Sequence, residues 1–78
     1  MIRLFTKLSG AALIIEEADN GFYLFTHKKG GSSSDTWHQT LEDAKCQADH
    51  EWRGMRINWH DVPDSVSDLH AFGRANLS

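Results

Sequence analysis

Over residues 1–27 the apolar positions alternate or sit in short runs, and only later do they take up a helical spacing. Met1 to Leu8 alternates weakly, as a half-buried strand does, and Ser9-Gly10 punctuates it as a turn or bulge. Ala11-Ala12-Leu13-Ile14-Ile15-Glu16-Glu17 is short, apolar and rich in β-branched residues, which favours a strand. Asp19-Asn20-Gly21 follows, and Asn-Gly is the strongest short-range hairpin signal because both residues tolerate positive φ in a type I′ turn. Phe22-Tyr23-Leu24-Phe25-Thr26-His27 is the return strand.

With Asn20 and Gly21 as the loop residues, Asp19 faces Phe22, Glu17 faces Leu24, Ile15 faces Thr26 and Ile14 faces His27. One sheet face then carries Leu13, Ile15, Phe22 and Leu24; the other carries Ile14, Tyr23 and Phe25. Both faces are partly apolar. A single short helix covers one of them, so the second is expected to meet the N-terminal strand, the C-terminal segment or another chain.

Lys28 to Ser34 reads as a flexible polar loop, and Asp35 to Gln39 as a short extended segment, the third strand of the hairpin sheet. Thr40 is an N-cap, with Asp43 three positions on in an imperfect capping box and Glu42 and Asp43 at the positive end of the helix dipole. The helix is expected from Leu41 to Arg53, with Gly54 at C′. Leu41, Ala44, Ala48, Trp52 and Met55 fall on one stripe at about 100° per residue.

Beyond Gly54, Arg56-Ile57-Asn58-Trp59-His60 reads as a last short strand or an extended arm, stopped by Val62-Pro63. Asp64 is placed to cap a short helix to about Phe72, with Gly73 to Ser78 as a frayed end. The expected architecture is α+β: an antiparallel sheet of three to four strands with one main helix on one face. Residues 1–63 form the domain and 64–78 an arm.

The chain has 78 residues, a net charge of −3 and 40% hydrophobic residues, a globular composition for one small domain. Its core can supply only a few kcal/mol of net stability. The acidic excess falls in residues 35–78, and the one basic cluster, Lys28-Lys29, fits a loop tip, so phosphate-driven nucleic-acid binding is not expected. Cys46 is the single cysteine; no intramolecular disulfide can form, and a reducing cytoplasm is the expected compartment. Arg3 and Lys7 interrupt the N-terminus, which lacks the apolar core of a signal peptide, and no segment approaches the length of a membrane span.

Chemistry is sparse. His27, His38, His50, His60 and His70 invite a metal reading, and Cys46 and His50 are one helical turn apart, but no second close pair completes a tetrahedral set. Solvated helix residues are the simpler account. Cys46 sits mid-helix among acids that would raise a thiol pKa, an unfavourable setting for a nucleophile. Asp35 and His38 are i and i+3 on a strand, pointing to opposite faces. Gly30 to Ser34 lacks the lysine and following helix of a phosphate loop. Tyr23 and Phe25 resemble a base-stacking platform in outline, although the acidic balance favours core or interface aromatics. No catalytic, cofactor or metal residues are assigned.

The run Asp35 to Trp52, "DTWHQTLEDAKCQADHEW", resembles a recurring signature of small uncharacterised bacterial proteins, in which Asp-Thr-Trp-His leads into a Leu-Glu-Asp-Ala-Lys helix. It covers about a quarter of the chain. More loosely, Gly21-Phe22-Tyr23 and Thr40-Leu41-Glu42-Asp43-Ala44 are similar to the strand and helix start of the N-terminal module of HicB-type antitoxins. That resemblance implies a strand–strand–strand–helix unit and toxin or nucleic-acid binding; the Pro-rich segment of such antitoxins is replaced here by Lys28 to Ser34.

The expected function is a non-enzymatic bacterial interaction or regulatory module, a homodimer or the binder of a protein partner. Its candidate surface is Tyr23, Phe25, Trp37, His38, Trp59 and His60. The alternative is a small metal- or ligand-binding protein using His38 and His60. Trp-His occurs twice, at 37–38 and 59–60, and each pair belongs to that surface.

Overall fold

The structure is a computed structural model that describes residues 1–75. It is α+β, with a five-stranded antiparallel sheet and one helix on each face. The strands are β1 (Arg3–Leu8), β2 (Ala11–Ala18), β3 (Gly21–Lys28), β4 (Ser33–His38) and β5 (His60–Asp61); the helices are α1 (Leu41–Glu51) and α2 (Leu69–Ala75). The spatial order is β4-β3-β2-β1-β5. The first four strands form a meander, and β5 returns to pair with β1 through Leu4↔Asp61 and Phe5↔His60.

The central hairpin differs from the expected register by one step of the turn. Ala18 pairs with Gly21, Ile15 with Leu24 and Ile14 with Phe25, so the loop residues are Asp19-Asn20. Among the described residues no non-glycine has positive φ, and Gly21 does not either, so the turn is not type I′. Gly21 is required for another reason. A Cβ there would lie 2.5 Å from the His38 carbonyl oxygen and 2.6 Å from the Trp37 ring. A left-handed glycine is found instead in the two-residue β1–β2 connection, where Gly10 has φ +81.

Moving the turn by one residue changes each pairing by two positions on the partner strand, and side chains alternate with a period of two. The expected faces therefore persist. Leu8, Leu13, Ile15 and Leu24 join Ala44 and Ala48 of α1 in one buried cluster, flanked by Leu4, Phe22, Leu41, Trp52, Ile57 and Trp59. Ala44 and Ala48 have no exposed surface. Their small side chains let the helix backbone sit close to the sheet, and Leu41 and Trp52 close the two ends. Met55 is exposed and does not extend this stripe.

The second face is covered by the C-terminal segment. Ile14, Val62 and Leu69 form its buried cluster, with Phe5, Phe25, Val66 and Phe72 packed around them. The arm is thus part of the core, and the helix expected from Asp64 begins instead at Leu69. Asp68 supplies the cap: its carboxylate accepts from the Ala71 N–H at 3.0 Å. Before it, the Arg3 guanidinium donates to the Val66 and Pro63 carbonyls at 2.7 and 3.0 Å, tying the connecting turn to β1. Gly73 meets the sheet closely; a Cβ there would be 2.6 Å from Ile14 Cδ1. Of the expected frayed end, Gly73 to Ala75 is helical, and residues 76–78 lie outside the described residues.

Thr40 caps α1 as expected, its hydroxyl accepting from the Asp43 N–H at 3.1 Å. The helix ends at Glu51 rather than Arg53, with Trp52 as C-cap, and Gly54 (φ +89) serves the turn that follows. The expected Lys28–Ser34 loop is shortened at both ends to residues 29–32: β3 extends to Lys28 and β4 starts at Ser33. No helix among the described residues is long and apolar enough to cross a membrane.

Candidate interaction surface

α2 is seven residues long and covers only part of its face. It lies over Ile14, Phe25 and the end of β3 at His27, leaving the hairpin end bare. There Tyr23 and Phe25 stack with centroids 5.8 Å apart, and Phe25 meets the His70 ring edge-on at 4.6 Å. Trp37, paired with Tyr23 across β3–β4, lays its ring over Gly21. Trp37 is 47% exposed, and it is the exposed aromatic among the described residues. The result is a row of three aromatics running from the edge strand to the rim of α2.

β4 is the sheet edge beside this row, and among the described residues no strand pairs with its outer side. The Lys28 N–H donates to the Ser32 carbonyl at 2.7 Å, which fixes the phase of the ladder. Hydrogen-bonded and non-hydrogen-bonded pairs alternate from that point. Ser34, Thr36 and His38 therefore bond to β3, whereas Ser33, Asp35 and Trp37 turn their N–H and C=O groups outward. The only charged side chain on this strand is Asp35, and β4 holds no Lys or Pro.

The other expected surface residues lie elsewhere. His38 is on the opposite face of β4, where its Nε2 hydrogen-bonds the Thr36 hydroxyl at 2.7 Å. Trp59 packs against the α1-side core. His60 is on β5, tilted against Phe5 at 5.8 Å. The two Trp-His pairs thus occupy opposite edges, with three strands between them, and His38 and His60 do not share a site. Asp35 and His38 point to opposite faces. Cys46 is exposed on α1. Among the described residues no group of three or more His, Cys, Asp or Glu side chains could hold a metal ion.

One contact was not foreseen from the sequence. His27, buried on the second face, lies 3.3 Å from His70 of α2, Nε2 to Nδ1. Burial, then the charges of His70 and Arg74, hold the His27 imidazole below its ordinary value. The signal that reveals it is parity: His27 shares the face of Tyr23 and Phe25, so any C-terminal helix on that face meets it.

Compared with known proteins, the chain matches no family model, no curated protein and no solved structure.

Proposed function

We propose that this chain is a non-enzymatic protein-interaction module that binds an extended segment of a partner along β4. The observation that carries this reading is the outward row of backbone groups at Ser33, Asp35 and Trp37, lying beside an exposed indole. An unpaired edge strand is a template for another strand, and a partner gains affinity from main-chain hydrogen bonds and specificity from alternate side chains. Here Trp37, Tyr23 and Phe25 offer apolar contact on one face. Asp35 is the specificity element: it favours Lys or Arg opposite it and repels an acid.

The same carboxylate opposes symmetric pairing of two β4 strands centred on Asp35, because two aspartates would face each other. The favoured occupant is thus a different, basic strand rather than a second copy. A reducing cytoplasm suits the exposed Cys46 thiol.

The test uses hexapeptides of alternating Val and Thr with Lys or Glu at a central position, titrated by fluorescence anisotropy. The Lys peptides are expected to bind and the Glu peptides not, and Asp35→Lys should exchange the preference. Asp35→Pro should abolish binding while leaving the far-UV circular dichroism intact, since that N–H points away from β3. Equal binding of both peptides, or full binding by Asp35→Pro, refutes the proposal; concentration-dependent dimerisation in sedimentation would assign the edge to a second copy instead.

A further inference from the structure

Arg56, Asn58 and His60 alternate with Ile57 and Trp59 along the segment that leads into β5. Ile57 and Trp59 turn into the α1-side core. By strand-like alternation the other three turn the opposite way. There, with Lys7, they border a cleft of about 590 Å³ whose floor includes Phe5 and Phe72. Phe5 and Phe72 meet edge-to-face, 4.8 Å apart at 90°, and His60 leans on Phe5. This cleft is at the β1–β5 end of the second face, across the sheet from Trp37.

We propose that the cleft binds a small planar aromatic anion, a carboxylate or sulfonate carried on one or two fused rings. Three observations converge. The volume falls within the roughly 300–1,000 Å³ of ordinary small-molecule sites. The floor is aromatic, and aromatic rings accept further rings stacked or edge-on. The rim holds two cations, Arg56 and Lys7, in a chain whose net charge is −3, and among the described residues neither is held in an ion pair.

The carboxylate nearest in sequence, Asp61, also borders the cleft, but its side chain alternates to the face opposite His60. It does not cancel the rim charge from within. The Asn58 amide and the His60 ring supply further hydrogen-bond donors beside the cations. A guanidinium presenting a planar fork to a carboxylate gives the strongest orientation, so Arg56 is assigned the anion and Lys7 a supporting charge. This site is independent of the β4 edge.

The experiment titrates the full chain with 2-naphthoate, followed in amide proton–nitrogen spectra, against the neutral 2-naphthamide. Shifts are expected at Asn58, His60 and Phe72, with naphthoate the tighter ligand. A charge-assisted hydrogen bond contributes about 1.5–3 kcal/mol, so Arg56→Gln should weaken naphthoate by about tenfold or more while leaving naphthamide unchanged. Lys7→Gln should weaken it less. Lys29→Gln, an exposed cation in the β3–β4 connection away from the cleft, should bind as the parent chain does. Arg56 and Lys7 are both exposed, so these variants retain the fold, and an unchanged spectrum away from the cleft checks it. Equal affinity for the two ligands, no saturation at millimolar naphthoate, or shifts confined to the Tyr23–Trp37 end would each overturn the assignment.

Discussion

Ile14 and Ile15 are neighbours in β2 and neither exposes any surface, yet their side chains enter two different cores. Ile15 lies under α1, an eleven-residue helix capped by Thr40, whose Ala44 and Ala48 fit flat against β2 and β3. Ile14 lies under α2, a seven-residue helix that reaches the sheet through Gly73 and a pair of histidines. The first face is closed chiefly by hydrocarbon, with the buried Thr6 and Thr26 as its polar members. The second is closed in its middle, bounded by a cleft at the β1–β5 end and bare around Trp37 at the other. A small domain buries less of its surface than a large one, and here the shortfall is concentrated on one face, where both proposed sites lie.

The largest effect that tests this difference is truncation of the two isoleucines. Large-to-small changes in a core cost about 2–5 kcal/mol, depending on how far the site can collapse. Ile15→Ala is expected near the top of that range, because α1 and the sheet hold its cavity open. Ile14→Ala should fall near the bottom, because a short helix can settle toward the sheet. Urea unfolding at constant m measures both, and Ile15→Val against Ile14→Val serves if the alanine variant does not fold. A cost for Ile14→Ala equal to that of Ile15→Ala would show the two faces to be equally rigid.

Gly21→Ala probes the bare end of the second face. The added methyl meets the His38 backbone carbonyl and the Trp37 ring, so β4 or the indole must move. Overpacking of this kind costs about 1–3 kcal/mol. The Trp37 indole N–H resonance should shift, whereas the Trp52 signal, on the other face, should not. An unmoved Trp37 signal would mean that the ring does not rest on Gly21.

What the sequence discloses here is parity. Alternation placed Leu13, Ile15, Phe22 and Leu24 together and Ile14, Tyr23 and Phe25 opposite them, and that assignment survived a misplaced turn because a two-position change of partner keeps every side chain on its face. The Asn-Gly signal misled because Gly21 answers to close packing by residues 37 and 38, a long-range demand that local turn chemistry does not express. β5 was legible only as one of two alternatives for Arg56 to His60, and neither its bounds nor its partner could be read: two residues are too few to show a period, and its pairing is with β1, far away in sequence. α2 was legible as a helix but not in its bounds, since both Asp64 and Asp68 can cap and only packing over Ile14 selects the second. Of the expected surface, Tyr23, Phe25 and Trp37 come together because they share parity on adjacent strands. His38, Trp59 and His60 do not, because position within a dipeptide says nothing about which sheet edge carries it.

The caps give a smaller contrast. Thr40→Ala removes the acceptor of the Asp43 N–H and should cost about 1 kcal/mol, as loss of an N-cap typically does. Asp68→Ala removes the corresponding acceptor on α2, at a fully exposed position. It should change global unfolding less and instead raise amide exchange within α2 alone. A global loss from Asp68→Ala as large as that from Thr40→Ala would show α2 to be as integral to the fold as α1.

The smallest expected effect is also the most specific to the second face. The His27 imidazole titrates below its ordinary 6.5, first because it is buried and then because His70 and Arg74 add positive charge from α2. Asp35 and Ser33 of β4 border the same pocket. Above 6.5 the side chain is neutral in both folded and unfolded chains and contributes no pH dependence. Below it the unfolded chain binds the proton while the folded chain resists, so stability falls as pH falls, until the folded imidazole is itself protonated. The Asp68 carboxyl is also held below its ordinary value, chiefly by the Ala71 N–H, so it adds a second loss in the same direction at far lower pH. α2 should therefore loosen in two separate steps on acidification. Amide exchange of α2 at about pH 7.5 and about pH 5.5 isolates the upper step, which lies in the ordinary histidine range. His27→Gln should flatten that step and leave the lower one in place, while the amides of α1 stay level through the upper window. If α1 loosens with α2 there, the histidine pair supports the whole fold rather than one face of it.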